Sequence, residues 1–283
     1  MQKERVSDNV YWFQSDVYAQ VTAGAIIGPQ WAILVDTLMP EETPQIKQFI
    51  ENELLVPVRY VINTHHHADH SWGNCIFPNA TIIGHELCRE LMLSRSLSAF
   101  AEAEKNDPLF RNLCIKEPSI TLAKGALFLR IGKKQIKVFS TPGHSEDCIS
   151  VLLEEDRILF SGDAYMPIPY FVGGDIDTLA ETITEIGSMG LENIIQGHGD
   201  IVLRGEIEEV TQSHLDYLKS VRKLVRTAAR RRNPLDFLGS QLVEDSGKQR
   251  VSMAGLAQDL HTRNLQWLYL YELKKSRESE NGA

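Results

Sequence analysis

The eight residues Thr64-His65-His66-His67-Ala68-Asp69-His70-Ser71 hold four imidazoles and one carboxylate, so five of the eight can bind a metal. Neutral imidazole and carboxylate together suit zinc and neighbouring first-row divalent ions. The plainer alternatives are a polar loop or an artificial histidine tag. A tag would be terminal and would not carry an embedded aspartate. Imidazoles this dense are also costly to leave unpaired beside a core. The segment is therefore read as a metal-binding loop, with its structural context as the check.

The neighbouring elements place that loop at the edge of a sheet. Residues 59–63 are a predicted strand that runs directly into the histidines, and strand-to-helix loops are where α/β proteins build sites. Upstream, residues 10–13 and 17–27 read as short strands joined by a turn at Gln14-Ser15-Asp16. Residues 31–35 are a continuous apolar run ending in Asp36-Thr37, the pattern of a strand buried on both faces. Thr43-Pro44 opens a helix with Ile46, Phe49, Ile50 and Leu54 on one stripe. Residues 81–83 form another strand, and 86–113 read as helices broken near Asp107-Pro108. Residues 127–131, 136–140, 149–153 and 158–161 are a run of strands, with turns at Gly132-Lys133 and Glu155-Asp156. A helix over 178–189 and a strand over 193–196 follow. From Gly205 the chain reads as helical nearly to its end, with 276–283 as a frayed tail. Layer rules turn that order into an α/β or α+β arrangement.

The whole chain has 283 residues, 43% hydrophobic and 24% charged, a soluble globular composition that needs no disulfide support. Its formal net charge of −9 argues against a nucleic-acid partner and gives no reason to expect an anionic membrane surface as one. No stretch is long and apolar enough to span a bilayer. No apolar run follows the charged start Met1-Gln2-Lys3-Glu4-Arg5, so a secretory signal is not expected. The cysteines Cys75, Cys88, Cys114 and Cys148 form no C-x-x-C pair and read as reduced, mostly buried thiols, which makes a cytoplasmic location the expectation.

The segment His65-x-His67-x-Asp69-His70 resembles the H-x-H-x-D-H signature of the metallo-β-lactamase superfamily. Four further segments match that family's remaining motifs in order: Asp36 in Leu34-Val35-Asp36-Thr37, His144 in Thr141-Pro142-Gly143-His144-Ser145, Asp163 in Phe160-Ser161-Gly162-Asp163, and His198 in Gln196-Gly197-His198-Gly199-Asp200. The resemblance covers roughly residues 6 to 203 and leans toward the glyoxalase II and lactonase-like branch. It implies an α/β fold, a four-layer αβ/βα sandwich with extra C-terminal helices. Residues 1–204 would be the catalytic domain, and residues 205–283 a helical extension packed on it. It implies that His65, His67 and His144 hold one metal, that Asp69, His70 and His198 hold a second, and that Asp163 bridges them. Asp36 is implied to order the histidine loop by hydrogen bonds. The cofactor expected is a pair of divalent ions, zinc first, with iron and manganese as alternatives.

Two metals a few ångströms apart can share a water, lower its pKa and polarise a carbonyl, so no serine or cysteine nucleophile is required. The expected activity is hydrolysis of a small ester, lactone, thioester or related small-molecule substrate by metal-bound hydroxide, with Asp69 orienting the nucleophile. The resemblance makes a β-lactamase the weaker alternative, because common members of that class present a cysteine where Asp163 stands. A nucleic-acid phosphodiesterase of the same fold is the other alternative, motivated by Arg222-Lys223-Leu224-Val225-Arg226 and Arg230-Arg231-Arg232. Those cations also complement a helix dipole with Glu206, Glu208 and Glu209 at its start, which needs no ligand. His66, lying between two ligands, is expected to point away from them, and His85, His214 and His261 to be ordinary structural or surface histidines. The apolar segment after Asp163 supplies Tyr165, Tyr170 and Phe171 as candidate pocket walls, with Trp72 beside His70. The apolar C-terminal helices are expected to shape the pocket or a homodimer contact.

Overall fold

The computed structural model describes residues 1–281, with side chains placed through residue 278. Its strands alternate apolar and small residues between two faces, and they assemble into two mixed sheets. The first sheet runs in order β1 (Gln2–Ser7), β2 (Val10–Gln14), β3 (Thr22–Ile27), β4 (Ala32–Val35), β5 (Val58–Ile62), β6 (Thr81–His85) and β7 (Ile120–Leu122). It is antiparallel from β1 to β4 and parallel from β4 to β7. The second contains β8 (Ala126–Ile131), β9 (Lys134–Ser140), β10 (Ile149–Leu153), β11 (Ile158–Gly162), β12 (Asn193–Gln196) and β13 (Val202–Leu203). Its spatial order is β13-β12-β11-β10-β9-β8, and within it only β11 and β12 pair in parallel.

Period-two alternation builds the layers. On β4, Ile33 and Val35 face the second sheet, while Ala32 and Leu34 face outward onto Ile46, Phe49 and Ile50. On β11, Ile158 and Phe160 face the first sheet and Leu159 faces outward. The outer face of the second sheet is covered by the helix Ile176–Ser188, whose Leu179, Ile183 and Ile186 lie at helical spacing. Asp175 starts that helix by accepting the Thr178 amide at 2.8 Å. The result is helix, sheet, sheet, helix: the αβ/βα sandwich of the metallo-β-lactamase fold with C-terminal helices. Gly24 marks how closely the sheets approach, because a Cβ there would stand 1.9 Å from the Phe160 ring.

The structure corrects several element boundaries. Residues 17–21 are not strand; Ala19 and Gln20 adopt positive φ (49° and 53°), and β3 begins only at Thr22. The edge strand β1 escapes sequence reading because Gln2–Ser7 is polar and largely exposed. Strands β7 and β13, of three and two residues, are too short to leave a pattern. The last helix continues as Ala257–Asn281 through most of the expected frayed tail, whose residues 282–283 lie outside the described residues. No helix among the described residues is long and apolar enough to cross a membrane.

The C-terminal helices Ile207–Ala228 and Ala257–Asn281 share one core with the sandwich. Tyr217, Val221, Val225, Leu265 and Leu268 pack in the same cluster as Ile183 and Ile194. A polar knot lies within that layer: Lys248 Nζ donates to Ser213 Oγ at 2.9 Å and to His214 Nδ1 at 2.7 Å. Burial pushes the Lys248 ammonium down to about 7. Between about pH 7 and 10.5 the unfolded chain therefore holds a proton that the folded chain does not. Stability contributed by this site should rise with pH across that window, by up to about 1.4 kcal/mol per pH unit. Urea unfolding at pH 7.5 and 9.5 should show a rise in the wild type that Lys248→Met reduces; equal slopes in the two proteins would refute a neutral buried lysine.

Candidate metal centre

The centre forms where β4, β5, β9, β11 and β12 end. Backbone bonds lock the two sheets together there. Ile149 N donates to Thr64 O and Thr22 N to Gly197 O, both at 2.8 Å, and Gly199 N donates to Gln20 O at 2.9 Å. After β5, His67 remains extended (φ −61°, ψ 151°) and caps the short helix Ala68–Ser71. Ser71 Oγ donates to His67 O at 2.8 Å. This tight turn lets His65 and His67 face one point while Asp69 and His70 face another.

Two groups of ligand atoms result: His65, His67, His144 and Asp163 in one, Asp69, His70 and His198 in the other. In the first, His67 Nδ1 lies 3.0 Å from His65 Nε2 and 3.1 Å from His144 Nε2. Asp163 Oδ2 lies 3.3 Å from His144 Nε2 and 3.7 Å from His65 Nε2. In the second, Asp163 Oδ1 lies 3.3 Å from His70 Nε2 and 3.5 Å from His198 Nε2. Asp69 Oδ2 stands 3.5 Å from His198 Nε2 and 3.9 Å from His70 Nε2. Ligands about 2.0–2.2 Å from a tetrahedral cation lie roughly 3.3–3.6 Å apart, so both groups have the spacing of a coordination shell.

Hydrogen bonds at the remote nitrogens fix the tautomers. His144 Nδ1 donates to Tyr170 O at 2.7 Å, and His198 Nδ1 donates to Ala19 O at 3.0 Å; carbonyls can only accept. Thr64 Oγ1 donates to Asp36 Oδ2 at 2.7 Å and so accepts from His65 Nδ1 at 3.1 Å. His70 Nδ1 donates to Asp36 Oδ2 at 2.8 Å. These partners leave the Nε2 atoms of the four rings aimed inward. His70 Nε2 and Asp163 Oδ1 are buried and have no hydrogen-bond partner among the described residues. Orphaned groups of that kind are costly in a core, and divalent cations would satisfy them. The residues present fit a pair of such ions.

Electrostatics divide the two groups. Burial, then the neighbouring imidazoles His70 and His67, keep His65 well below the ordinary histidine range. Burial and then His144 bring His67 down to about 3, and burial also lowers His144. These three are neutral at physiological pH and ready to ligate. Burial opposes charge on Asp163, yet His198, His70 and His144 hold its carboxyl well below the usual carboxylate range. Burial likewise opposes charge on His70 and His198, and Asp163 foremost raises both above the ordinary value.

Asp36 belongs to neither ligand group. It sits at φ 57°, a left-handed conformation that aspartate tolerates better than most residues. From there its carboxylate accepts Thr64 N at 2.8 Å together with Thr64 Oγ1 and His70 Nδ1. Asp147, which sequence reasoning missed, secures the loop from the other sheet. It accepts His66 N at 2.8 Å, lies 3.0 Å from His66 Nδ1 and accepts Ser145 Oγ at 2.7 Å. His66 is thereby turned away from the ligand groups. Gly197 is fixed by proximity, since a Cβ would stand 1.9 Å from Asp163 Oδ1.

A cleft of about 250 Å³ opens over Asp69, Asp163 and three of the histidines. Tyr170 lines it as the sequence suggested, but the other three pocket candidates do not. Trp72 is buried against Phe100 and Phe110. Tyr165 is a core side chain whose hydroxyl donates to Ile183 O, and Phe171 packs in the same core near Trp267. The other walls are Met166, from the apolar segment after Asp163, and Leu256 and Leu260, from the C-terminal region expected to shape the pocket or a homodimer contact, together with Tyr18 and Met253, with Arg263 beside them. Tyr18 and Met253 come from distant segments, and nothing in local sequence signals them.

Comparison with known proteins agrees with this geometry. Residues 18–231 match the model of the metallo-beta-lactamase superfamily. A lactamase-like protein nscB from Trichophyton rubrum is 27% identical over 184 residues, 64% of this chain and 50% of the relative. A thioesterase pkgB from Emericella nidulans is 25% identical over 62% of this chain and 41% of its own length. The chain thus spans about half the length of these relatives. A crystal structure of a metallo-beta-lactamase family protein from Thermus thermophilus superposes with a TM-score of 0.66 at 19% identity, covering 93% of this chain and 94% of the other.

Because Asp36 bonds His70 directly and reaches His65 only through Thr64 Oγ1, its loss should act unevenly. Asp36→Ala should weaken the ion held by Asp69, His70 and His198 by roughly 10–100-fold, the usual cost of losing an outer partner. The His65, His67 and His144 group should keep its ion. Competition with a chelator of known affinity measures both steps, and an equal loss at both would contradict a support role centred on His70.

Proposed function

The chain belongs to the metallo-β-lactamase superfamily, and we propose that it is a dinuclear metal-dependent hydrolase of a small carboxylic ester, thioester or lactone. The observation that carries this reading is the Asp163 carboxylate, which offers Oδ2 to one ligand group and Oδ1 to the other. A shared carboxylate suits two ions held side by side. Five imidazoles with two carboxylates suit zinc, and also iron or manganese. When bound, such a pair supplies an activated water and Lewis acidity at a carbonyl.

The chain's own residues do the rest. Of the two carboxylates in the ligand groups, Asp69 is the more exposed, 15% against 4% for Asp163. It therefore faces the cleft and can accept a proton from the attacking water and hold its orientation. His144, braced on Tyr170 O, and His198, braced on Ala19 O, keep their positions without solvent. Met166, Leu256 and Leu260 give the acyl portion an apolar wall, and the small cleft favours a small substrate. The name thioesterase borne by one relative supports an acyl bond. The cationic groove formed by Lys219, Lys223, Arg226 and Arg230 shares no residue with this cleft, which favours the small-molecule reading over a nuclease.

A panel of lactone, thioester, aryl ester, β-lactam and phosphodiester substrates tests the reading on metal-loaded protein. Carboxyl esters, thioesters or lactones should turn over, and Asp69→Asn should lower kcat by roughly 10²–10⁴-fold with little change in the unfolding midpoint. Turnover in oxygen-18 water should place the label in the released acid from the first cycle. Unlabelled acid in a single turnover, or an isolated acyl-enzyme, would exclude direct attack by water.

A further inference from the structure

Among the described residues, Arg263 is the one lysine or arginine that lines the cleft, and it comes from the last helix, Ala257–Asn281, beyond the 18–231 stretch matched by the family model. Among the described residues, no carboxylate lies within ion-pair distance of its guanidinium, which instead lies against the Tyr170 hydroxyl. The two acids of the cleft, Asp69 and Asp163, are both committed to the ligand groups. Arg263 is exposed at the rim of the cleft, and its guanidinium, free of a carboxylate partner, stands beside the walls formed by Met166, Met253, Leu256 and Leu260.

Its placement is enforced by its neighbour. Asn264 is fully buried, donates from Nδ2 to Pro169 O at 2.8 Å and to Tyr217 Oη at 3.1 Å, and accepts Phe171 N at 3.2 Å. One side chain thus ties the last helix to both ends of the segment whose Tyr170 carbonyl braces His144. The register that points Arg263 at the cleft is fixed to the same backbone that positions a ligand histidine. A guanidinium is permanently charged and matches planar or tetrahedral oxyanions with paired donors.

Resting on the hydrolase reading above, we infer that Arg263 is the specificity residue of this cleft and binds an anionic group, a carboxylate or phosphate, at the end of the substrate remote from the hydrolysed bond. The substrate then has an apolar middle against the methionine and leucine walls, an acyl carbonyl at the ligand groups and a terminal anion on Arg263. The positive end of the cleft also gives an acidic chain, net −9, a local means of drawing in an anion.

The test uses ketones, which bind like esters but cannot be hydrolysed. Metal-loaded protein is titrated calorimetrically with 6-oxo-7-phenylheptanoate, its phosphonate counterpart and its neutral carboxamide, and with homologues having up to four more methylenes. At one chain length or more, a carboxylate or phosphonate should bind at least tenfold tighter than the carboxamide. Arg263→Gln should bring that ratio to within twofold without changing metal content, and Arg263→Lys should restore part of it. Whichever anion is preferred identifies the natural terminal group. A preference that survives in Arg263→Gln, or no preference at any length in the wild type, overturns the inference. Parallel kinetics with the matching phenyl esters separate the two readings. Arg263→Gln should raise KM for the anionic ester at least tenfold and leave kcat within threefold. An Arg263-dependent binding preference without turnover of any ester would sustain the subsite and sink the hydrolase reading; turnover without the preference would do the reverse.

Discussion

Seven side chains from four separate strand ends must present their ligand atoms within a few ångströms of one another, and one of those strands belongs to one sheet while three belong to the other. Asp163 makes this demand strict, because its two oxygens stand 3.3–3.7 Å from donors of both groups. Any sliding of one sheet over the other would separate the halves of the site. The sheets are accordingly locked at this end by the Thr64–Ile149 and Thr22–Gly197 backbone bonds, and farther in by Phe160 packed against Gly24. Strain and buried polar groups collect at the same place. Asp36 holds an uncommon backbone conformation, and His70 Nε2 and Asp163 Oδ1 lack partners among the described residues. Features of that cost persist where a site requires them.

The sheet ends are tied to the ligands through a small number of acceptors. Asp36 connects β4 to the loop after β5 by gripping Thr64 and His70 together. Asp147, from the approach to β10, grips the same loop through His66. Two carboxylates outside the ligand groups thus hold the histidine loop from opposite sheets. The last helix extends this arrangement outward, since Asn264 fixes the segment that braces His144. The C-terminal helices are therefore part of the cleft's construction as well as a cover for the second sheet.

The histidine loop was legible in the sequence because its ligands lie within six positions, where spacing alone carries meaning. Asp36, His144, Asp163 and His198 lie far apart, and only resemblance to a family joined them to that loop. Most strands were legible from apolar runs, while β1, β7 and β13 were not, being polar or very short. Backbone acceptors such as Ala19 O and Tyr170 O carry no side-chain signature at all. The apolar segment after Asp163 shows a different limit. Tyr170 faces the cleft while its neighbour Phe171 faces the core, and composition cannot distinguish a wall from a core residue. Trp72 fails for the same reason, finding Phe100 and Phe110 from another helix and turn.

The central claim is that one carboxylate spans two ions. Anomalous diffraction from crystals of metal-loaded protein, collected on both sides of the metal absorption edge, tests it most directly. The account predicts two anomalous peaks roughly 3.5–4 Å apart, one within bonding distance of His65, His67 and His144, the other of Asp69, His70 and His198, with Asp163 reaching each through a different oxygen. A single fully occupied peak, or two peaks with Asp163 bound to only one, would contradict it.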